Sequence, residues 1–90
     1  MDFEYDPEKS ESNKVKHGID FEEVQALWND QNAFEFDARA DEEDRFLVVG
    51  QIGEMLWTAV ITYRGEKIRI ISVRRSRGRE VQEYDHRKRT

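Results

Sequence analysis

Arg74, Arg75, Arg77 and Arg79 stand within six consecutive positions, where a strand pattern gives way to a helix pattern. The N-terminal end of a helix carries the positive end of its macrodipole, so each cation there is mildly unfavourable by itself. An anion resolves the conflict, because arginine forks and free backbone N–H groups both suit phosphate. Acids from the N-terminal half are the alternative counter-charge, and the residues alone leave both readings open. Arg69 lies in mid-strand among isoleucines, a costly place for a charge unless it is paired or faces a cleft. A structural ion pair and a catalytic group fit it equally. Lys16 and His17 end a helix just before Gly18, where the dipole favours a cation and where a proton donor is also well placed. Tyr84 reads first as a core aromatic and second as a catalyst. Together these groups suit one chemistry: metal-free attack of a ribose 2′-OH on the adjacent phosphate. That reaction needs a base, an acid and cations around the pentacoordinate phosphorus. Nothing in the chain has the pattern of a two-metal carboxylate site, a serine triad or a phosphate-cradling glycine loop.

The charge distribution points the same way. Residues 1–44 hold fifteen acids against four bases, and residues 45–90 hold eleven bases against five acids, within a net charge of −5. Such asymmetry between halves suggests a surface that handles a polyanion; internal neutralisation of one half by the other is the competing reading. Ninety residues form one domain, residues 1–90, with apolar matter for a single modest core. Cysteine is absent, which removes disulfides and thiolate metal sites, and the two histidines, His17 and His86, do not stand at ligand spacing. No metal and no cofactor are therefore expected. The acidic opening Met1 to Asp6 lacks the apolar core of a signal peptide, and the longest apolar run, residues 55–61, is too short to span a bilayer. A soluble cytoplasmic protein is the expectation.

The elements that must position these residues are set by local pattern. Phe3 and Tyr5 alternate with acids, as in a short strand. Asp6-Pro7 reads as an N-cap with proline at the first helical position, opening a helix that reaches His17 and stops at Gly18. Its apolar surface is chiefly Val15, with Ile19 just beyond. Asp20 starts a second helix, with Glu23 at capping-box spacing and Phe21, Val24, Leu27 and Trp28 on one face. From Phe34 the period becomes two. Strands are expected near residues 34–37, 45–50, 55–63 and 67–74, with an acidic connection at residues 41–44 and short turns that make an antiparallel meander. Strict alternation in the last strand places Arg69, Ile71, Val73 and Arg75 on one face. A final helix near residues 77–87 has Ser76 as its cap and Val81 and Tyr84 inward. The fold class is α+β: two N-terminal helices, a twisted antiparallel sheet and a C-terminal helix.

Four blocks carry a family resemblance: Phe3-Glu-Tyr-Asp-Pro7, residues 13–24 around Lys16-His17-Gly18 and Phe21-Glu-Glu23, Asp44-Arg45-Phe46, and Ile68-Arg-Ile-Ile-Ser-Val-Arg-Arg75. In this order, and with the last helix, the chain resembles the BrnT toxins of bacterial BrnT/BrnA type II toxin–antitoxin modules. The resemblance implies a RelE-like fold and a small ribonuclease that blocks translation by cutting RNA. It also implies a BrnA-like antitoxin partner in a hetero-oligomer. Carried over by position, His17 would transfer protons, and Arg69 with Arg75 would offset phosphate charge. Arg74, Arg77, Arg79 and Lys16 would hold the RNA backbone, with Tyr84 beside them. Relatives often carry an Asp-x-x-His arrangement where this chain reads Asp37-Ala-Arg-Ala40, so a slower enzyme or reliance on Arg39 is expected. The alternative is a catalytically weak RelE-like domain that binds RNA or a partner. A third reading is a structural subunit whose arginines serve internal ion pairs only.

Overall fold

The computed structural model describes residues 1–38 and 44–89. The expected roles of Arg39 and Ala40, and most of the acidic connection, lie outside the described residues. In chain order the elements are β1 (Asp2–Glu4), α1 (Pro7–His17), a 3-10 helix (Glu23–Asn29), β2 (Phe34–Ala38), β3 (Arg45–Ile52), β4 (Met55–Arg64), β5 (Lys67–Arg75) and α2 (Gly78–Arg89). The α+β class holds.

Helix α1 begins and ends as its sequence dictates. The Asp6 carboxylate accepts the Glu8 N–H at 2.9 Å, Pro7 takes the first turn, and Gly18, at φ 84°, closes the helix with its N–H on the Lys14 carbonyl. The capping box at Asp20 also forms: Asp20 Oδ1 accepts from the Glu23 N–H at 2.7 Å, and Glu23 Oε1 accepts from the Asp20 N–H at 3.0 Å. The helix it opens is a 3-10 helix, where an α-helix is expected from the sequence. Phe21, Val24 and Leu27 are buried at strict three-residue spacing, and three residues per turn stacks such positions on one edge. Apolar spacing of three fits both helix types, and packing chose the tighter one.

The sheet has the order β1-β5-β4-β3-β2. Strands β2 to β5 form the antiparallel meander, but β1 pairs parallel to β5, with Phe3 opposite Ile68 and Glu4 opposite Arg69. The sheet is therefore mixed rather than purely antiparallel. Helix α1 and the 3-10 helix carry the chain from one sheet edge to the other, and three reversals bring β5 back in the direction of β1.

One irregularity decides which face each arginine takes. Val60 pairs with Ser72 and Ile61 with Ile70, so Ile71 is an extra residue bulged out of β5. The bulge flips the alternation: Ile68, Ile70, Val73 and Arg75 face the inner side, while Arg69, Ser72 and Arg74 face the outer side. This corrects the expectation that Arg69 and Arg75 share a face. On its other side β5 is covered by β1 only from Lys67 to Arg69, and the Val73 N–H beyond them is met by a helix instead. Asn13 of α1 receives it at 3.2 Å on Oδ1 and donates Nδ2 to the Ile19 carbonyl at 2.9 Å. With the Ser10 hydroxyl accepting the Phe21 N–H, these polar contacts dock α1, and Val15, its chief apolar residue, is 89% exposed. The inner face packs Ile19, Phe21, Val24 and Leu27 on Val48, Ala59, Ile61, Ile68, Ile70 and Val73. Gly50 permits that closeness, since a Cβ there would meet Leu27 Cδ2 at 3.0 Å and Ala33 Cβ at 3.1 Å. Helix α2 lies on the outer face. Among the described residues no helix is long and apolar enough to cross a membrane.

Candidate functional site

At the β5–α2 junction the buried carboxylate of Glu80 gathers four donors. Arg74 reaches it with both terminal nitrogens, at 2.7 and 2.8 Å, the Arg77 N–H donates at 2.7 Å, and the Thr58 hydroxyl donates at 2.9 Å. Burial pushes the Glu80 carboxyl upward, but the Arg74 fork, the Arg77 N–H and the Thr58 hydroxyl outweigh it and hold the group down to about 2. The described residue that pairs with Arg74 is thus an acid of α2 itself rather than one of the N-terminal half. Ser76 does not cap the helix as expected. Its hydroxyl shares a 2.8 Å hydrogen bond with Thr58, and Glu80 closes the first turn through Arg77.

Three neighbouring arginines have no such partner among the described residues. Arg77 and Arg79 are exposed, and Arg75 is exposed with its guanidinium 5.5 Å from the centre of the Trp57 ring. Glu80 already meets four donors, and none of them is the side chain of Arg75, Arg77 or Arg79. Arg69 is different. It pairs with Glu4 of the edge strand at 2.9 Å, where Arg64 also approaches at 3.8 Å. Arg69 and Arg75 lie on opposite faces of β5, so the structure does not bring together the pair expected to share one phosphate.

Lys16 and His17 are exposed in the last turn of α1 and have no hydrogen bond or ion pair with any described residue. Glu4 meets β5 at Arg69 and Asn13 meets it at Val73, so α1 advances along β5. Val73 stands two residues before Arg75, so the helix that ends in Lys16 and His17 packs beside the same half of β5. Tyr84 is buried at 2% exposure, and its hydroxyl donates to Asp30 Oδ2 at 2.7 Å. Burial and then the Asp30 carboxylate push the phenol up to about 12. Burial also pushes Asp30 upward, but the hydrogen bonds from Tyr84 and from the Asn32 and Gln51 N–H groups bring it below the usual carboxylate value. Tyr84 links α2 to the loop after the 3-10 helix, the core-aromatic reading of it.

The eight sequence candidates thus divide. Arg69, Arg74 and Tyr84 are committed to carboxylates, while Lys16, His17, Arg75, Arg77 and Arg79 present their charge or imidazole to solvent. Sequence reasoning missed Glu80, Asp30, Asn13 and Trp57. Glu80 had a readable signal, since it stands three residues after Arg77 at capping-box spacing. Asn13 and Asp30 had none, because their partners are sixty and fifty-four residues away. Among the described residues no group of three His, Asp or Glu side chains could hold a metal ion.

A family model described as a ribonuclease toxin, BrnT, of a type II toxin–antitoxin system matches residues 5–80. No curated protein matches the chain.

Proposed function

The chain belongs to the BrnT family of ribonuclease toxins of type II toxin–antitoxin systems, and we propose that it is a metal-independent endoribonuclease acting at the cationic edge formed by the end of α1, the end of β5 and the start of α2. In the proposed reaction a base removes the proton of a ribose 2′-OH, and the oxygen attacks the adjacent phosphorus. The O2′–P bond forms, the P–O5′ bond breaks, and an acid protonates the leaving 5′-oxygen. The products are a 2′,3′-cyclic phosphate and a 5′-hydroxyl. His17 is the proton-transfer group of this reading. Arg75 and Arg77 offset the charge on phosphorus, and Lys16 and Arg79 hold the flanking backbone. Arg69 and Arg74 act indirectly, by fixing β1 and α2 to β5.

The observation that carries the reading is the state of Glu80. This buried carboxylate of the junction is engaged by the Arg74 fork, the Arg77 N–H and the Thr58 hydroxyl, and no described carboxylate pairs with the side chains of the three exposed arginines one to five residues away, which supports their meeting an external anion. The α+β arrangement is read as RelE-like, inhibition of translation as the consequence of RNA cleavage in the cytoplasm, and a BrnA-like antitoxin as the partner that a type II family implies.

The test is cleavage of labelled RNA by the purified protein in EDTA. The parent should cut, while His17→Ala and the Arg75→Ala/Arg77→Ala double variant should lose at least tenfold, and Tyr84→Phe should stay within about twofold. Retained cutting by both of the first two variants would show the site to be misplaced. One observation favours a second reading. With Tyr84 buried and bonded to Asp30, only Lys16 and His17 remain of the eight as acid–base candidates, and they are neighbours in one helix turn, as a weakly catalytic RNA-binding domain would have. That reading predicts RNA affinity falling steeply with salt and no cleavage.

A further inference from the structure

We propose that the groove between β2 and α2 seats one unpaired base of the RNA, an inference that rests on the ribonuclease reading above. The groove encloses about 280 Å³ and is lined by Phe34, Phe36, Arg79, Glu80, Glu83 and Arg87. That is just under the roughly 300 Å³ at which ordinary small-ligand sites begin, so it suits one flat ring system rather than an extended ligand.

Its walls are made for stacking. Phe34 and Phe36 stand two apart on the outer face of β2, with ring centres 5.8 Å apart and planes within 23°. The Arg87 guanidinium lies over Phe34, 4.4 Å from its centre, and covers that ring. Phe36, at 37% exposure, keeps its surface open. An open aromatic face stacks any base, and its worth per base is enough to shift affinity by about tenfold or more. Continuity with the arginines supplies the address. Arg79 lines the groove and is also one of the three exposed arginines of the junction, so a backbone phosphate held there delivers its base to Phe36. The groove can also discriminate. Glu83 gives Oε2 to Arg87 at 2.9 Å, which leaves Oε1 to accept from the exocyclic amino group of a base. Cytosine is then preferred to uracil, which has a carbonyl at the same position.

The experiment is equilibrium binding of fluorescent, cleavage-resistant 2′-O-methyl oligoribonucleotides: a cytidine tract, a uridine tract and an abasic tract of equal length. The parent should bind the cytidine tract best and the abasic tract about tenfold more weakly. Phe36→Ala should bind all three as weakly as the parent binds the abasic one, while Phe36→Trp should keep the parental order. The Arg75→Ala/Arg77→Ala variant should lose affinity for all three alike. If Phe36→Ala equals the parent on every tract while the arginine variant still loses, the groove is not a base site and the ribonuclease reading stands. If cytidine and uridine tracts bind equally, the Glu83 assignment falls. If the parent binds none of them, both readings fall together. If Phe36→Ala keeps RNA affinity but escapes neutralisation by the cognate antitoxin, the groove holds a protein and the base site is overturned.

Discussion

Arg74 and Arg77 are three residues apart on one short stretch of chain, yet one is fixed and the other is free. Arg74 is clamped by both oxygens of a buried carboxylate, and Arg77 gives that carboxylate only its backbone N–H while its guanidinium reaches solvent. The same division separates Arg69, held by Glu4, from Arg75, which lies beside Trp57 on the opposite face. Two acids, Glu80 and Glu4, thus sort a run of like charges into paired and solvent-facing side chains. Charge density along a sequence measures neither.

Breaking the fixed half should have the largest effect. Glu80→Ala leaves a mostly buried guanidinium, the Thr58 hydroxyl and the Arg77 N–H without their partner. A loss of about 3 kcal/mol in stability is expected in urea denaturation. A loss under about 1 kcal/mol would make the junction an ordinary surface ion pair and erase the distinction.

Acid should produce a graded version of the same break. The folded carboxyl of Glu80 sits at about 2 against an ordinary 4.5, so its stabilisation is complete above that ordinary value. It is lost as pH falls from 4.5 towards 2. Asp30, also held low, adds to the same limb. The thermal midpoint of the parent should drop across this window, and that of Glu80→Gln should drop less. Parallel curves would place the acid sensitivity elsewhere.

The bulge provides a sharper comparison between the two faces of β5. Asn13→Ala leaves the Val73 N–H and the Ile19 carbonyl unpaired next to the core, at a cost of about 2 kcal/mol. Accelerated amide exchange at Val73 is the specific signature. Protection at Val73 equal to that of the parent would show that Asn13 does not dock α1 on β5.

The free half should barely register in stability. Arg77→Ala and Arg79→Ala are each expected within about 0.5 kcal/mol of the parent. Each should instead lower the salt dependence of RNA binding, with the log–log slope falling by about 0.7 per arginine removed. An unchanged slope would move the arginines out of the interface.

Much of the fold was legible because its signals are local. Asp6-Pro7 and Gly18 bound α1, Asp20 and Glu23 form their capping box, and period-two patterning with short turns marks β2 to β5. The errors share a cause. Three-residue apolar spacing did not distinguish a 3-10 helix from an α-helix, and three residues of β1 said nothing about the direction of its pairing. The meagre apolar surface of α1 was legible, but not that Ser10 and Asn13 hold the helix through backbone groups eleven and sixty residues away. The candidate site was half legible: residue types and clustering pointed to phosphate, but not which arginines were available for it.

From sequence alone came the α+β class, the helix boundaries set by caps, the acidic-to-basic polarity of the chain and the family, since these depend on neighbours within a few positions or on matched motifs. Tertiary structure alone decided that Ile71 bulges, that Arg69 and Arg75 part company, that Glu80 meets Thr58 and that Tyr84 meets Asp30. Each of those outcomes is a pairing across the sheet or between distant elements. Its energy depends on burial and geometry that no single stretch of chain contains.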